Sequence, residues 1–283
     1  MCNQKPKLNQ KPDKNAPIGV FDSGVGGLTV AREIMRQMPE ERIVYFGDTA
    51  RVPYGSKSQD TIIRYSRQII RFLMTKHVKA IVIACNTASA YALATVEKEF
   101  DVPIIGVIRA GARTAVQVTR NGKIGVIATE GTIGSGIYTQ EIKKLRPDIE
   151  VTGKPCPLFV PLVEEGLWQD PVTDEIAKRY LSSLIDTGID TLILGCTHYP
   201  LIRSTVAKVM GDHVTLVNPA YETARELKEL LMEKGLFNPV PPQLGTNKYE
   251  FFVSDGAEKF VHFANSIIKY GILGAKVIQI EDY

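Results

Sequence analysis

The chain has 283 residues, of which 44% are hydrophobic and 23% charged, and its formal net charge is +3. This composition is ordinary for a globular protein, and the near balance of 34 basic and 31 acidic residues argues against a nucleic-acid binder, which would carry a basic stripe. No apolar run approaches the roughly 20 residues of a membrane span. Residues 1–16 are rich in Lys, Asn, Gln and Pro and lack the apolar core of a secretory signal, so we expect a disordered tail there.

Apolar runs that are typical of buried parallel strands alternate with helical patterns along the chain. In the first part, strands are predicted at 18–21, 43–46, 80–84 and 104–108, with helices at 28–37, near 62–73 and at 88–100. Further strands are predicted near 123–127, 150–152, 191–194 and 214–217. The C-terminal part adds a helix at 220–234, a surface loop at 238–247, a strand at 249–253 and a helix at 257–270.

This alternation predicts an α/β fold with mainly parallel sheets and helices on both faces, as in doubly wound domains. Two domains are expected, because the chain is long enough and each half contains one strand that ends in a cysteine. The C-terminal helices and strand can return to complete the first sheet. We therefore predict a first domain of residues 17–108 plus 219–283 and a second domain of residues 109–218.

The four cysteines of the chain are Cys2, Cys85, Cys156 and Cys196. They show no paired spacing, and no export signal is evident, so free thiols in a reducing cytoplasm are expected. Cys2 lies in the tail and Cys156 stands between two prolines, and neither is assigned a role.

Cys85 and Cys196 stand in matched sequence frames, Ala-Ile-Val-Ile-Ala-Cys-Asn-Thr and Thr-Leu-Ile-Leu-Gly-Cys-Thr-His. Each follows a predicted buried strand and precedes polar residues that can begin a helix, whose dipole stabilises a thiolate. A single such cysteine is more often a small buried hydrophobe. Two in matched positions, at strand ends where open α/β sheets build their sites, indicate chemistry that needs two similar groups.

Other kinds of site fit these residues less well. Cys85, Cys196 and His198 could be three metal ligands, but the Cys-x₂₋₄-Cys spacing of structural zinc is missing, so no metal is predicted. The glycine-rich segment 22–28 follows the first strand, yet it lacks the G-x-G-x-x-G pattern and the lysine of a phosphate-binding loop. The segment 47–57 after the second strand is dense in polar and turn residues, as a site loop would be.

Two thiols suit the inversion of a carbon centre by proton transfer. One base must remove a proton from one face while an acid returns a proton to the other face. The pKa of a free cysteine is about 8.5, so thiol and thiolate are both accessible near neutral pH. Backbone N–H groups at helix N-termini can stabilise the carbanion that forms in between.

Four motifs in order resemble those of the aspartate/glutamate racemase family, and within it the cofactor-independent enzymes that act on glutamate. They are Asp-Ser-Gly-Val-Gly-Gly at 22–27, the segment 48–55, Ala-Cys-Asn-Thr-Ala at 84–88 and Gly-Cys-Thr-His-Tyr-Pro-Leu at 195–201. The likeness runs from about Ile18 to the C-terminus. One departure is Arg109-Ala110-Gly111, which stands where the family usually has Pro-Gly, at the predicted crossing between the domains.

The resemblance implies an isomerase that interconverts L- and D-glutamate in a site between two α/β domains. Cys85 would take the α-proton of D-glutamate and Cys196 that of L-glutamate, with assistance from Asp22 and His198. Glu165 would be an auxiliary acid near the second cysteine. The residues expected to hold the substrate are Asp22, Ser23, Tyr54, Gly55, Asn86, Thr87, Thr132, Thr197 and His198. The resemblance further implies no cofactor, no metal, a homodimer, and a role in peptidoglycan synthesis, cell-wall biogenesis and cell shape through D-glutamate.

Three alternative functions fit the sequence less well. An aspartate racemase also uses paired cysteines, but the forms of the first and last motifs favour glutamate. A pyridoxal-phosphate racemase is disfavoured, because no lysine stands in a strand-end motif to form a Schiff base. A two-domain amino-acid-binding protein would not need the matched thiols.

Overall fold

The computed structural model describes residues 13–240, 248–268 and 271–283, and its strands form two parallel sheets. The strands are β1 (Ile18–Asp22), β2 (Ile43–Gly47), β3 (Ala80–Ile83), β4 (Ile104–Gly106), β5 (Lys123–Ala128), β6 (Glu150–Pro155), β7 (Thr191–Gly195), β8 (Thr215–Val217), β9 (Tyr249–Val253) and β10 (Lys276–Val277). The first sheet has the order β10-β9-β2-β1-β3-β4, and the second has the order β6-β5-β7-β8.

Helices follow most of the strands. They are α1 (Leu28–Gln37), α2 (Gln59–Thr75), α3 (Asn86–Glu99), α4 (Val107–Val118), α5 (Glu130–Gly134), α6 (Ile137–Leu145), α7 (Phe159–Glu164), α8 (Pro171–Ile185), α9 (Arg203–Met210), α10 (Pro219–Glu233) and α11 (Ala257–Ile267). We call the first sheet with α1–α3, α10 and α11 the first lobe, and the second sheet with α5–α9 the second lobe. Helix α4 connects them and packs against α6 and α10.

Both faces of the first sheet are covered, as its strands require. All five residues of β1 are buried, with Ile18 and Val20 in one apolar cluster and Phe21 in another. Successive side chains of a strand point to opposite faces, so such a strand needs helices on both sides. The α/β fold with parallel sheets and two lobes, predicted from the sequence, is confirmed.

The two lobes repeat one strand order, since β2-β1-β3-β4 in the first corresponds to β6-β5-β7-β8 in the second. In each, the chain moves outward from the first strand and then returns to its other side. The switch points therefore lie between β1 and β3 and between β5 and β7. Open α/β sheets bind ligands at the carboxyl ends of the strands at such points. Cys85 follows β3 and Cys196 follows β7, so each thiol lies at the switch point of its lobe.

The connection between the lobes differs from the prediction. The strand predicted at 104–108 ends at Gly106, and Val107 begins helix α4. The unusual segment 109–111 is therefore helical. An added Cβ at Gly111 would lie 2.9 Å from Cγ of Pro219, so the glycine allows close packing of α4 against the start of α10.

The domain limits stay a proposal. The first predicted boundary, 108–109, lies within the first turn of α4, and the second, 218–219, lies at the start of α10. Of the predicted tail, residues 1–12 lie outside the described residues, whereas 13–16 form a turn. The predicted loop 238–247 and the predicted helix 257–270 are likewise only partly described, and α11 ends at Ile267. No described helix has the length and apolar character needed to span a membrane.

Candidate active site

A cavity of about 420 Å³ lies between the lobes at the carboxyl ends of both sheets. The first lobe contributes Ser23, Val52, Pro53, Tyr54, Gly55, Ser56, Cys85, Asn86 and Thr87 to its wall. The second lobe contributes Thr129, Glu130, Pro157, Val160, Pro161, Glu164, Cys196, Thr197 and His198. Both cysteines thus line the same cavity from different sheets.

Cys85 is the N-cap residue of α3, and its Sγ accepts a hydrogen bond from the backbone N–H of Ala88 at 3.4 Å. Burial and, to a smaller extent, the carboxylate of Asp22 raise the pKa of this thiol to about 12, against the opposing effect of the Ala88 N–H and the Ser23 hydroxyl. Cys85 is therefore a protonated thiol near neutral pH. In that state it can donate a proton to a bound molecule.

Cys196 has a different electrostatic environment. Its Sγ lies 3.6 Å from Nδ1 of His198, whose Nε2 lies 3.0 Å from Oε1 of Glu164. Burial lowers the pKa of His198, but the contacts with Cys196 and Glu164 outweigh it and raise that pKa to about 10. The imidazole is therefore a cation near neutral pH, and it lies directly beside the Cys196 sulfur.

Asp22 ends β1 and is completely buried. Its Oδ2 accepts a hydrogen bond from the N–H of Gly24 at 3.0 Å, while Oδ1 has no hydrogen-bond partner in the described part of the chain. Burial raises the pKa of this carboxyl, against the opposing charge of His198 and the N–H groups of Gly27 and Gly24. It lies behind the cavity wall and influences Cys85 electrostatically.

The glycine-rich turn after β1 brings the lobes together. An added Cβ at Gly26 would lie 2.3 Å from Oγ1 of Thr197 and 2.5 Å from Cε1 of His198. The hydroxyl of Thr29, in the first turn of α1, lies 2.9 Å from the carbonyl oxygen of Thr197 and donates to it. The turn thus fixes the distance between the first lobe and the Cys196 loop.

Hydroxyl and amide groups cluster on the opposite side of the cavity. Oγ1 of Thr87 lies 3.0 Å from that of Thr129 and 3.2 Å from that of Thr132, so three hydroxyls meet across the lobes. The amide Oδ1 of Asn86 accepts a hydrogen bond from the hydroxyl of Tyr138 at 2.7 Å.

Tyr54 and Gly55 lie in the loop after β2. The Tyr54 hydroxyl donates to Asp48, whose carboxylate also accepts from Nε of Arg51 at 2.7 Å and from Oγ of Ser254 at 2.9 Å. The proton of the Tyr54 hydroxyl is therefore not available to a ligand in the cavity. An added Cβ at Gly55 would lie 2.8 Å from Cβ of Thr129, so this glycine allows the loop to approach the second lobe.

Most of the residues expected from the sequence lie together at this site. The wall includes Ser23, Tyr54, Gly55, Cys85, Asn86, Thr87, Cys196, Thr197 and His198. Asp22 and Thr132 lie directly behind it, since both are buried and contact or influence wall residues.

Glu165, which is predicted from the resemblance to lie near Cys196, is absent from the cavity wall that includes this cysteine. Its side chain is 67% exposed and pairs with Nζ of Lys259 at 3.5 Å. The acidic neighbour of His198 is instead Glu164. Burial raises the pKa of the Glu164 carboxyl, but the hydrogen bond and charge of His198 outweigh burial, so the pKa is lowered. Glu164 was missed because α7 was not predicted. The helical spacing of Val160 and Glu164 could have identified the face that lines the cavity.

Several other wall residues were also missed, among them Thr129, Glu130, Pro157 and Val160. They lie after β5 or β6, in segments whose sequences carry no distinctive motif. The described residues include no group of three or more His, Cys, Asp or Glu side chains arranged to hold a metal ion.

The arrangement can hold a small polar molecule between two proton carriers of opposite character. One wall carries a protonated thiol, and the other carries a thiol that lies beside an imidazolium. Hydroxyls, an amide and the N-terminus of α3 supply donors for an anionic ligand. This is the layout needed to remove a proton from one face of a carbon atom and return another to the opposite face.

Known proteins resemble this chain over most of its length. A glutamate racemase of Geobacter metallireducens is 49% identical over 251 residues, which cover 89% of this chain and 92% of the relative. The crystal structure of the glutamate racemase isoform RacE1 from Bacillus anthracis superimposes with a TM-score of 0.89 at 41% identity, covering 94% of this chain and 98% of that one. The glutamate racemase of Francisella tularensis in complex with D-glutamate gives a TM-score of 0.88 at 41% identity, covering 95% and 100% of the two chains.

The family model for Asp/Glu/Hydantoin racemase matches residues 18–227, a range that begins with β1 and ends within α10. The match includes both strand-end cysteines and all of the described cavity wall. The fold, the relatives and the family match agree, and this chain belongs to the aspartate/glutamate/hydantoin racemase family of amino-acid racemases.

Proposed function

We propose that the protein interconverts L-glutamate and D-glutamate by a two-base proton transfer between Cys85 and Cys196, without a cofactor. One observation carries the proposal: two thiols, each from the switch point of a different sheet, line the same cavity. The curated relatives support glutamate as the substrate, because relatives that are 49% and 44% identical to this chain are glutamate racemases.

The chemistry runs in a balanced cycle. In the direction from L-glutamate, the Cys196 thiolate takes the α-proton and becomes a thiol, leaving a carbanion at the α-carbon. The Cys85 thiol donates its proton to the opposite face and becomes a thiolate. The product is D-glutamate, and the reverse reaction exchanges the two roles.

The charges around the two thiols support a cycle in which Cys85 donates a proton in the direction from L-glutamate. His198 is a cation beside Cys196, whereas Asp22 lies in a buried position near Cys85 and favours its protonated form. The resting enzyme is therefore ready to donate a proton at Cys85. Asp22 and His198 assist by adjusting these protonation states as the substrate binds.

Binding of the substrate uses donors on both lobes. The amide of Asn86 and the hydroxyls of Ser23, Thr87 and Thr197 face or border the cavity, and the backbone around Gly55 closes one side. Thr132 acts through the hydroxyls of Thr87 and Thr129. The backbone N–H groups at the N-terminus of α3 can stabilise the negative charge that develops as the α-proton leaves.

D-glutamate made in this way would supply peptidoglycan synthesis, and the reducing cytoplasm is the proposed compartment. The three described cysteines, Cys85, Cys156 and Cys196, are free thiols, which is compatible with that compartment.

The test is to incubate purified protein with L-glutamate, and separately with L-aspartate, in D₂O without added cofactor. At early conversion a two-base enzyme yields D-glutamate that carries deuterium at the α-carbon, while the remaining L-glutamate retains protium. Deuterium in the recovered L-glutamate at the same stage would contradict two separate bases. Faster turnover of L-aspartate would contradict glutamate as the substrate.

Variants of the cysteines test the mechanism directly. Cys85→Ser and Cys196→Ser should each lower kcat by at least about a hundredfold, because a hydroxyl is a far weaker proton acceptor than a thiolate. Cys156→Ser is the matched control: this buried thiol lies outside the cavity wall, and its replacement should leave kcat nearly unchanged. Circular dichroism checks that all three variants fold, and full activity in either cavity variant would contradict the two-base mechanism.

A further inference from the structure

Tyr138 forms a hydrogen bond across the two lobes that ends at a cavity residue. It lies on α6 of the second lobe and is 3% exposed, with its ring against Gly195 at the end of β7. Its hydroxyl is 2.7 Å from Oδ1 of Asn86, the first residue of α3 in the first lobe. The hydroxyl itself is absent from the cavity wall, so it acts on a ligand only through Asn86.

The hydrogen bond decides which way the Asn86 amide faces. In the described part of the chain, the hydroxyl of Tyr138 has Asn86 as its hydrogen-bond partner. If the amide were turned over, its NH₂ would donate to the tyrosine oxygen, and the buried hydroxyl proton would have no acceptor. An unpaired buried donor costs more than a hydrogen bond gains, so the orientation with Oδ1 toward Tyr138 is favoured.

The opposite end of the amide is then available to a ligand. Nδ2 of Asn86 makes no hydrogen bond within the described residues. This nitrogen is not one of the fully buried polar atoms that lack a partner there, and Asn86 lines the cavity. Burial raises the pKa of the Tyr138 hydroxyl above its ordinary value, so the group keeps its proton and remains a donor. An amide NH₂ is a donor only, which suits a carboxylate.

We propose that Tyr138 is a positioning residue that holds the Asn86 amide with its NH₂ toward the cavity, where it binds a carboxylate of the substrate. This rests on the proposed glutamate racemase function. Because the amide is oriented before the substrate arrives, binding does not have to fix its rotation. The oriented amide strengthens the binding of substrate and transition state equally, so the loss of this orientation should change KM rather than kcat.

The principal test compares Tyr138→Phe with Tyr199→Phe. Loss of the Tyr138 hydroxyl should raise KM for both enantiomers by about three- to tenfold, with kcat nearly unchanged. The Tyr199 hydroxyl is also buried and donates to a main-chain carbonyl, that of Cys156, at 2.8 Å, so Tyr199→Phe removes a comparable hydrogen bond without touching Asn86. Tyr199→Phe should lower the thermal midpoint without raising KM.

A double-mutant cycle shows whether Tyr138 acts through Asn86. Asn86→Ala should raise KM by itself, and Tyr138→Phe should add no further increase in that background. Increases in KM that multiply in the double variant would overturn the proposal, as would an unchanged KM in Tyr138→Phe.

Nuclear magnetic resonance of the side-chain amides gives a readout that does not depend on turnover. The Asn86 NH₂ signal, assigned by its loss in Asn86→Asp, should shift in Tyr138→Phe and remain in place in Tyr199→Phe. A wild-type enzyme without activity on glutamate would contradict the proposed function. An active wild type together with an unshifted Asn86 signal in Tyr138→Phe would contradict the positioning role alone.

Discussion

Burial of the Asp22 carboxylate lowers the stability of the fold at neutral pH, but it places this charge near Cys85. Its carboxyl is buried, one oxygen lacks a hydrogen-bond partner in the described part of the chain, and burial raises its pKa above the ordinary 3.8. A carboxyl whose pKa is higher in the folded than in the unfolded protein binds its proton more tightly when folded. Its contribution to stability is therefore lost as the pH rises from about 3.8 through the folded pKa.

Replacement of Asp22 by asparagine should separate these two effects. Asp22→Asn removes the buried charge and should raise the free energy of unfolding at neutral pH by about 0.5–2 kcal/mol. It should also lower kcat by about ten- to a hundredfold, more than it raises KM, because the group assists proton transfer. Denaturant unfolding and steady-state kinetics on the same preparations provide both measurements.

The pH dependence supplies the control for this variant. The gain in stability of Asp22→Asn over the wild type should vanish below about pH 3.8, where the wild-type carboxyl is protonated in both states. A gain that is equal at pH 3 and pH 7 would mean that packing rather than charge causes it. An unchanged kcat with a raised KM would assign Asp22 to uniform binding.

The sequence predicted the site residues that belong to a motif and missed those that depend on helix orientation. Cys85 and Cys196 could be found because an apolar strand followed by a polar residue is a local signal. The choice between Glu164 and Glu165 depends on the direction in which the last turn of α7 points. Two adjacent glutamates look alike in sequence, and only the packing of Phe159 and Val163 into the core decides which of them reaches His198.

Helix α7 is the element that links His198 to a second charge. Glu164→Gln keeps the size of the side chain but removes the carboxylate 3.0 Å from Nε2 of His198. The pKa of His198, about 10 in the wild type, should fall, and kcat should fall by at least about tenfold, since an orienting carboxylate of this kind stabilises the imidazolium. The titration of His198 can be followed by NMR.

The neighbouring residue provides a matched control on the same turn. Glu165→Gln removes a carboxylate that is 67% exposed and paired with Lys259. It should change kcat by less than about twofold, because exposed ion pairs contribute little. Equal effects of the two substitutions would mean that net charge near the cavity, rather than contact with His198, is what matters.

The turn between β1 and α1 is the element that lets the lobes meet. Gly26→Ala would place a Cβ 2.3 Å from Oγ1 of Thr197, so the Cys196 loop would have to move. Activity should fall by at least about tenfold, since small displacements of catalytic groups have large effects on rate. The fold of each lobe should survive, as far-ultraviolet circular dichroism can show.

Gly134→Ala is the control for this prediction. Gly134 ends helix α5, and an added Cβ there meets nothing within 4 Å. Alanine also favours a helix more than glycine does, so the variant should be active and at least as stable as the wild type. Equal losses of activity in both variants would show that any added methyl group near the site is harmful, whatever its contacts.

The sequence patterns predicted most strands but not the helices of the second lobe. The run 104–108 is continuously apolar, so its pattern could not show that the strand stops at Gly106 and that a helix begins at Val107. Helices α5 and α7 have only five and six residues, too few for a helical period to be visible. Strand β10 has two residues and depends on pairing with β9.

The whole molecule places its proton carriers at one end of the sheets and a buried ion pair at the other. Nζ of Lys79, just before β3, donates to Glu41 at 2.5 Å and to the carbonyl oxygens of Lys14 and Leu236. The second carboxylate oxygen of Glu41 accepts from the N–H of Asn238 at 2.9 Å. Four separate segments of the first lobe are thus tied together at the amino ends of its strands, away from the cavity.

Breaking this pair should affect stability and leave the chemistry intact. Lys79→Met would leave the carboxylate of Glu41 buried without its cation, and burial already raises the pKa of that carboxyl. The free energy of unfolding should fall by about 3–5 kcal/mol, while kcat and KM of the protein that remains folded should match the wild type. Arg67→Met, which breaks the exposed pair with Glu99, should leave both stability and kinetics nearly unchanged. A lower kcat in Lys79→Met, measured at a temperature where the variant is fully folded, would mean that the amino ends of the strands are coupled to the cavity. In that case β1, which ends at Asp22, and β3, which Cys85 follows, would have shifted.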